Sequence, residues 1–337
     1  MTQDTHISLA HGNGGYFMRE LIETIFAQQF ANSNLDIERD AAMLSWPYGE
    51  LVITTDGFTV QPLEFPGGNI GSLAVHGTVN DLAVSGAIPC YFTLNVFVEE
   101  GFEIALLKRL MASLAEAAQK CQVAIVAGDT KVLPRGQVSG LYLATTGVGY
   151  RTNTSPLNVR QIKAGDVIVV SGSVGDHGIA VMLAREQFGL RGSLRSDAAS
   201  VLPLTQALLP YGDRVRVMRD PTRGGVATVL HDYVRATGLT LRIRQSELPI
   251  NGEVQVVCDM LGYDPLYLAC EGRVVAVVAP DIATAVLETW RALPEGSHAA
   301  LIGTVCEQHP PRVILETELG GERLLEELED DPLPRIC

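Results

Sequence analysis

Apolar positions recur along this chain in two rhythms. Between residues 103 and 120, Ile104, Leu107, Leu110, Met111 and Leu114 return every three or four positions, which predicts an amphipathic helix. The same spacing predicts helices at Phe17, Leu21, Ile22, Ile25 and Phe26, and from Ile70 through Leu73, Ala74 and Gly77 to Val84. Further helices are expected after Gly178, at Val226, Val229, Leu230 and Tyr233, and over 251–260 and 283–291. Short apolar or alternating runs predict strands at 51–55, 91–98, 123–127, 141–148, 166–171, 242–244, 273–278 and 301–305. Strands and helices alternate in both halves, and the polar stretch 151–161 separates them. The expected organisation is a two-domain α/β (α+β) protein. It has a leader and helix over 1–40, a first domain over 41–155, a second over 156–315 and an extended tail over 316–337.

Composition narrows the class. Of the 337 residues, 47% are hydrophobic and 33 are glycine, as in a packed protein with many tight turns. A net charge of −14 argues against nucleic acid or an anionic membrane surface as the main partner. No apolar run approaches the ~18–20 residues that span a bilayer. Met1 to His6 lacks the basic-then-apolar layout of a signal peptide, so a cytoplasmic protein is expected. Cys90, Cys121, Cys258, Cys270, Cys306 and Cys337 form no C-x-x-C pair, and the first five sit in apolar surroundings. Cys337 differs. It follows the acidic run 326–331 and two prolines, Pro332 and Pro334, a layout expected to give an extended tether with a reactive tip.

Candidate chemistry gathers where glycine meets Asp, Asn or Lys. Asp56-Gly57, Asn80-Asp81, Gly128-Asp129-Thr130-Lys131 and Asp220-Pro221-Thr222-Arg223-Gly224-Gly225 each read alone as ordinary turns, but they occur together. A site for Mg2+ and nucleotide needs carboxylates, cations and close backbone approach. Asp56, Asp81 and Asp129 can supply the first, Lys131 and Arg223 the second, and the glycines the third. Asn80-Asp81 interrupts an apolar helix, where an amide and a carboxylate must be exposed or held by a partner such as a metal. His11-Gly12-Asn13-Gly14-Gly15 opens the first helix as a weaker anion-binding candidate. There is no P-loop run, and Gly172-x-x-Gly175 matches a dinucleotide fingerprint only loosely.

The order HGNGG, DG, ND, GDTK, DPTRGG, CEG and a final PRIC resembles the HypE family of hydrogenase maturation proteins along the whole chain. That family belongs with aminoimidazole ribonucleotide synthetase, selenophosphate synthetase and thiamine-monophosphate kinase. The resemblance implies a PurM-like fold and a homodimer whose N-terminal domains form a shared β-barrel. It also implies ATP and Mg2+ in a cleft between domains, bound at Asp56, Asn80, Asp81, Gly128, Asp129, Thr130, Lys131, Asp220, Arg223, Gly224 and Gly225. A carbamoyltransferase, HypF, is implied as the donor of a carboxamide to the terminal cysteine. ATP-dependent dehydration to a thiocyanate follows, with a HypC–HypD complex as cyanide acceptor.

The residues suit that chemistry. A cysteine thiolate is a good nucleophile near neutral pH, which fits Cys337. Phosphoryl transfer depends on positioning and charge neutralisation, which fits Lys131 and Arg223. Two protons must leave nitrogen; Glu271 is the candidate base, with His11, His76 and His177 as alternatives. A small-molecule ATP-dependent synthetase or kinase, or a carrier whose tail only docks partners, stays open.

Overall fold

The computed structural model describes residues 5–12, 16–33, 35, 49–152, 157–185 and 192–327. Cys337 and the rest of 328–337 lie outside them, as do Asn13, Gly14 and Gly15. Helix α1, Tyr16–Leu21, runs on as a wider turn over Ile22–Ala27. Strand β1, Glu50–Phe58, is followed by the short pair β2, Glu64–Phe65, and β3, Gly68–Asn69. Then come helix α2, Ile70–Val84, strand β4, Ile88–Glu99, helix α3, Ile104–Lys120, strand β5, Ala124–Leu133, and strand β6, Leu141–Arg151.

Four of these strands form a sheet in the order β1-β6-β4-β5, antiparallel except for the β4–β5 pair. α3 links that parallel pair, as a crossover must. Helix α2 is buried nearly all round, which explains its unbroken apolar run. Its start is fixed by a capping box: Asn69 Oδ1 accepts from the amides of Gly71 (2.9 Å) and Ser72 (3.1 Å), and Ser72 Oγ accepts from Asn69 N. Gly71 is needed where α2 meets α3, because a Cβ there would lie 2.3 Å from the Leu110 carbonyl oxygen.

The second half contains β7, Val167–Val170, α4, Asp176–Ala184, α5, Leu202–Leu208, β8, Val215–Arg219, α6, Gly225–Thr237, and β9, Thr240–Arg244. It continues with α7, Gly252–Leu261, β10, Val275–Val278, α8, Ala283–Arg291, β11, Ala300–Cys306, β12, Val313–Glu316, and β13, Glu322–Leu324. Seven strands form a second sheet, β13-β12-β9-β11-β7-β10-β8, antiparallel except for β12–β9. The alternation of strand and helix is thus real, but mostly antiparallel pairing makes the fold mixed rather than doubly wound. Among the described residues no helix is long and apolar enough to cross a membrane.

The two halves share a core. Ile179, Val181, Val254 and Leu268 of the second belong to the same buried cluster as Phe65, Leu73 and Leu107 of the first. Ala83 and Val84 of α2 lie in a cluster with Val201, Leu204 and Leu208. Part of 316–337, expected as an extended tail, is built into the second sheet. Glu322–Leu324 pairs with β12, Leu325 is buried, and Tyr267 Oη donates to the Glu326 carbonyl at 2.6 Å. Arg235 pairs with Glu327 at the surface, where both side chains stay exposed.

Candidate active site

Asp56 lies on β1 and Asp81 on α2. Both face the seam between the halves, where the Asp220–Gly225 turn approaches from the other side: Arg223 Nη2 stands 3.8 Å from Asp56 Oδ1. Thr54 Oγ1 donates to Asp81 Oδ2 at 2.7 Å, and Gly57 N donates to Asp56 Oδ1 at 2.7 Å. Gly77 lets α2 pass close to β1, since a Cβ would press on the Phe58 ring and lie 3.8 Å from Asp56 Oδ2. In the opposite turn, Gly224 (φ +69°) and Gly225 (φ +60°) adopt backbone angles that favour glycine, and α6 begins at Gly225. A Cβ on Gly225 would lie 2.5 Å from the carbonyl oxygens of Leu266 and Leu268. This contact, with Cys270 N donating to the Pro221 carbonyl at 3.0 Å, brings the Cys270-Glu271-Gly272 turn beside Asp220.

The electrostatics tie these acids into one cluster. Burial raises Glu271 well above the carboxylate range, reinforced by the charges of Asp220, Asp197, Asp56 and Asp81. Burial first, then the charges of Asp81 and Asp56, push Asp220 up to about 7. Asp81 is raised by burial against the Thr54 hydrogen bond, and Asp56 by burial against the Gly57 amide and Arg223. Arg219, immediately before Asp220, opposes the shifts of both Asp81 and Asp220. Four acids from both halves therefore resist ionising together. An all-oxygen donor set short of positive charge fits Mg2+. Among the described residues, however, no three His, Cys, Asp or Glu side chains converge closely enough to hold a metal ion as they stand.

The cluster has a signature in stability. Asp220 has a folded pKa of about 7 against 3.8 unperturbed, so the folded state binds its proton more tightly. Its stabilising contribution is complete at low pH and is lost as pH rises through that window. Without divalent cation, the Asp220 contribution to the melting temperature, read as the difference from Asp220→Asn, is expected to fall between about pH 4 and pH 7. A rise over that window, after Asp220→Asn is used to isolate the contribution, would refute the buried cluster.

The GDTK motif does not join this cluster. It lies inside β5 rather than at its end, and its register runs Gly57, Ala144, Asn95, Asp129 across the sheet. β5 is three strands from β1, roughly 14 Å at ~4.8 Å per strand. Side chains alternate between faces, so Asp129 and Lys131 project on the face opposite Asp56 and are exposed. They pair with each other at 3.6 Å. The expected metal set Asp56, Asp81 and Asp129 is therefore not assembled within one chain, and Lys131 does not reach the cluster there. Gly128 and Thr130, also expected at the nucleotide, line with Asp129 an apolar cavity beside Phe26, Phe30, Leu94 and Ile125.

Asn80 is also placed differently from expectation. α2 continues through it, and its amide binds backbone: Nδ2 donates to the carbonyls of Ala199 and Glu271 (both 3.0 Å), and Oδ1 accepts from Val201 N at 2.8 Å. The alternative bases are engaged or depressed. His11 Nδ1 accepts from Ser8 N at 3.1 Å, His177 Nδ1 lies 2.8 Å from Ser196 Oγ, and burial with the Lys120 charge lowers His76 to about 4. Sequence reasoning missed Asp197 and Arg219. The second adjoins a recognised motif and had a signal; Asp197 had none.

Two family models match the chain, "AIR synthase related protein, N-terminal domain" over 38–150 and "AIR synthase related protein, C-terminal domain" over 163–316. Carbamoyl dehydratase HypE of Azotobacter vinelandii is 41% identical over 331 residues, covering 98% of this chain and 97% of that one. The chain belongs to the HypE family. A crystal structure of the HypE maturation protein in complex with ATP superposes with a TM-score of 0.93 at 40% identity, covering 98% of this chain and 99% of that one. A crystal structure of a HypE–HypF complex matches with a TM-score of 0.80 at 41% identity, covering 91% and 99%. The HypE family is one of carbamoyl dehydratases acting in hydrogenase maturation, and the mixed two-part fold is its fold.

Proposed function

We propose that this chain carries a carboxamide on the Cys337 thiol and uses ATP with Mg2+ to dehydrate it to a thiocyanate, in the cytoplasm. The observation that carries the reading is the cluster of Asp56, Asp81, Asp220 and Glu271 at the seam between the halves, with Arg223 3.8 Å from Asp56. The carboxamide oxygen attacks the γ-phosphorus of ATP, ADP leaves, and one nitrogen proton is lost. The phosphorylated imidate then loses phosphate and its remaining nitrogen proton, giving S–C≡N. The sum is carboxamide plus ATP to thiocyanate, ADP and phosphate.

Asp56, Asp81 and Asp220 would contribute carboxylate oxygens to the ion, with phosphate oxygens of ATP completing a set that the three side chains do not close alone; when bound, the ion would neutralise phosphate and carboxylate charge. Arg223, 3.8 Å from Asp56, would meet the phosphate oxygens, and Arg219, which lies 3.7 Å from Asp232, would add positive charge nearby. Glu271 takes a nitrogen proton; positive charge beside it favours its ionised form, the form a base needs.

The tail is rooted at Tyr267, three residues before Cys270. From there residues 328–337 can span at most roughly 33–36 Å, enough for the thiol to visit the cluster. HypF is the proposed carboxamide donor, as the HypE–HypF complex suggests, and a HypC–HypD complex the acceptor. A homodimer is proposed from the sheet's outer edge, where β1 exposes Leu51 (53%) and Ile53 (59%). Asp129 and Lys131 face the side that a second copy would cover, and are proposed to serve a nucleotide site shared by two copies.

The test is intact-protein mass spectrometry of the carbamoylated chain. Mg-ATP should remove the mass of one water at Cys337 and release one ADP per chain. An unchanged mass with ATP bound would sink the proposal.

A further inference from the structure

The peptide unit that carries Glu271 is gripped from opposite sides. Its N–H donates to Asp197 Oδ1 at 3.1 Å, and the next amide, Gly272 N, donates to Asp197 Oδ2 at 3.3 Å. Its carbonyl accepts from Asn80 Nδ2 at 3.0 Å and from Ala199 N at 3.5 Å. We propose that Asn80 and Asp197 are positioning residues that set where the Glu271 carboxyl stands relative to Asp56 and Asp81. This inference rests on the reading of Glu271 as the proton acceptor.

Three features give the grip its direction. Asn80 precedes Asp81 on the buried helix α2, so the residue that holds Glu271's carbonyl moves with one of the N-terminal carboxylates. Both amide N–H groups of Asn80 and its oxygen bind backbone, and all three partners come from the second half. Asp197 is itself held: Arg273 Nε lies 3.4 Å from its Oδ2, while Arg273 also donates to the Ser173 carbonyl at 3.0 Å and pairs with Asp176 at 3.5 Å.

Contact between the segments leaves no slack. A Cβ on Gly272 would lie 1.9 Å from the Asp197 carbonyl oxygen, so the strap 196–201 and the Glu271 turn meet backbone to backbone. The strap is tied to the first half as well, where Ser196 N donates to the Pro66 carbonyl at 2.8 Å. A buried ion pair is a poor route to stability, because desolvation offsets its attraction. Fixing both peptide units that flank the Glu271 Cα leaves Glu271 only its side-chain torsions, and that is a gain in orientation.

A double-mutant cycle separates positioning from general scaffolding. Single-turnover ADP release from the carbamoylated chain would be measured for Asn80→Ala, Glu271→Gln and the pair, with Mg-ATP affinity alongside. Asn80→Ala is expected to slow release roughly tenfold to hundredfold while affinity stays within about threefold. In the Glu271→Gln background it should cost less than about twofold more, because its effect runs through that carboxyl. Asp197→Asn, which keeps shape but replaces an acceptor with a donor, should repeat the pattern from the other side. Should Asn80→Ala fail to fold, Asn80→Asp keeps the Val201 contact and removes both donors. Equal losses in the two backgrounds would overturn the positioning role while leaving Glu271's role standing. If Glu271→Gln alone changed nothing, the proton-acceptor reading would fall, and this inference with it.

Discussion

Cys337→Ala is expected to abolish carboxamide loading and all thiocyanate formation while leaving Mg-ATP affinity unchanged within about twofold. The thiol is the only proposed point of attachment, so nothing in the carboxylate cluster can compensate for it. The described residues explain why affinity survives. Asp56, Asp81, Asp220 and Glu271 are fixed by β1, α2 and two turns, and the structure is tied down as far as Glu327 without the last ten positions. Mass spectrometry after incubation with the carbamoyl donor, together with equilibrium nucleotide binding, reads both results. ATP-dependent turnover of a free small molecule by the variant would instead favour a kinase or synthetase.

Glu271→Gln is expected to slow ATP-dependent dehydration by about 10²- to 10⁴-fold, the usual range for losing a general base. Gln keeps the volume of a fully buried side chain and removes the titrating oxygen. Removing an acid also relieves Asp220, Asp56 and Asp81, with which Glu271 competes for ionisation. Mg-ATP binding should therefore hold or tighten while the chemical step fails. The discriminating observation is the phase affected. Chain mass that stays at the carboxamide value while ATP is bound supports the assignment, whereas a normal rate of water loss disproves it.

The sequence exposed the elements better than their meeting points. α3 was legible because a period near 3.6 with a polar far side has one reading, and α2 because only a buried helix tolerates so apolar a run. β12 and β13 were not. A short apolar run followed by Glu316, Glu318, Glu322 and Glu326 reads as a solvated tail until β9 supplies the edge on which it pairs. The motifs were likewise visible, but not their faces. Glycine and aspartate in GDTK suggested a turn, while the pairing of β4 and β5 carries the strand straight through it. Asn80 stood out as an amide in an apolar helix, yet its partners lie 119 to 191 residues away, beyond local reasoning. Asp197 was hidden likewise, since Glu271 and Gly272 lie 74 and 75 residues away and its own surroundings carry no motif.

The continuous core also restricts how this molecule can move. Separating the halves as a hinge would expose Phe65, Leu73, Ile179 and Leu268 at about 1.5–3 kcal/mol for each side chain, and would break the Arg185 Nε to Gln61 carbonyl bond of 2.6 Å. Wide jaw-like opening is therefore closed to it at ordinary temperature. On the proposed reading, reactants would enter at the seam, and timing would fall to whatever controls arrival there rather than to rearrangement of the body.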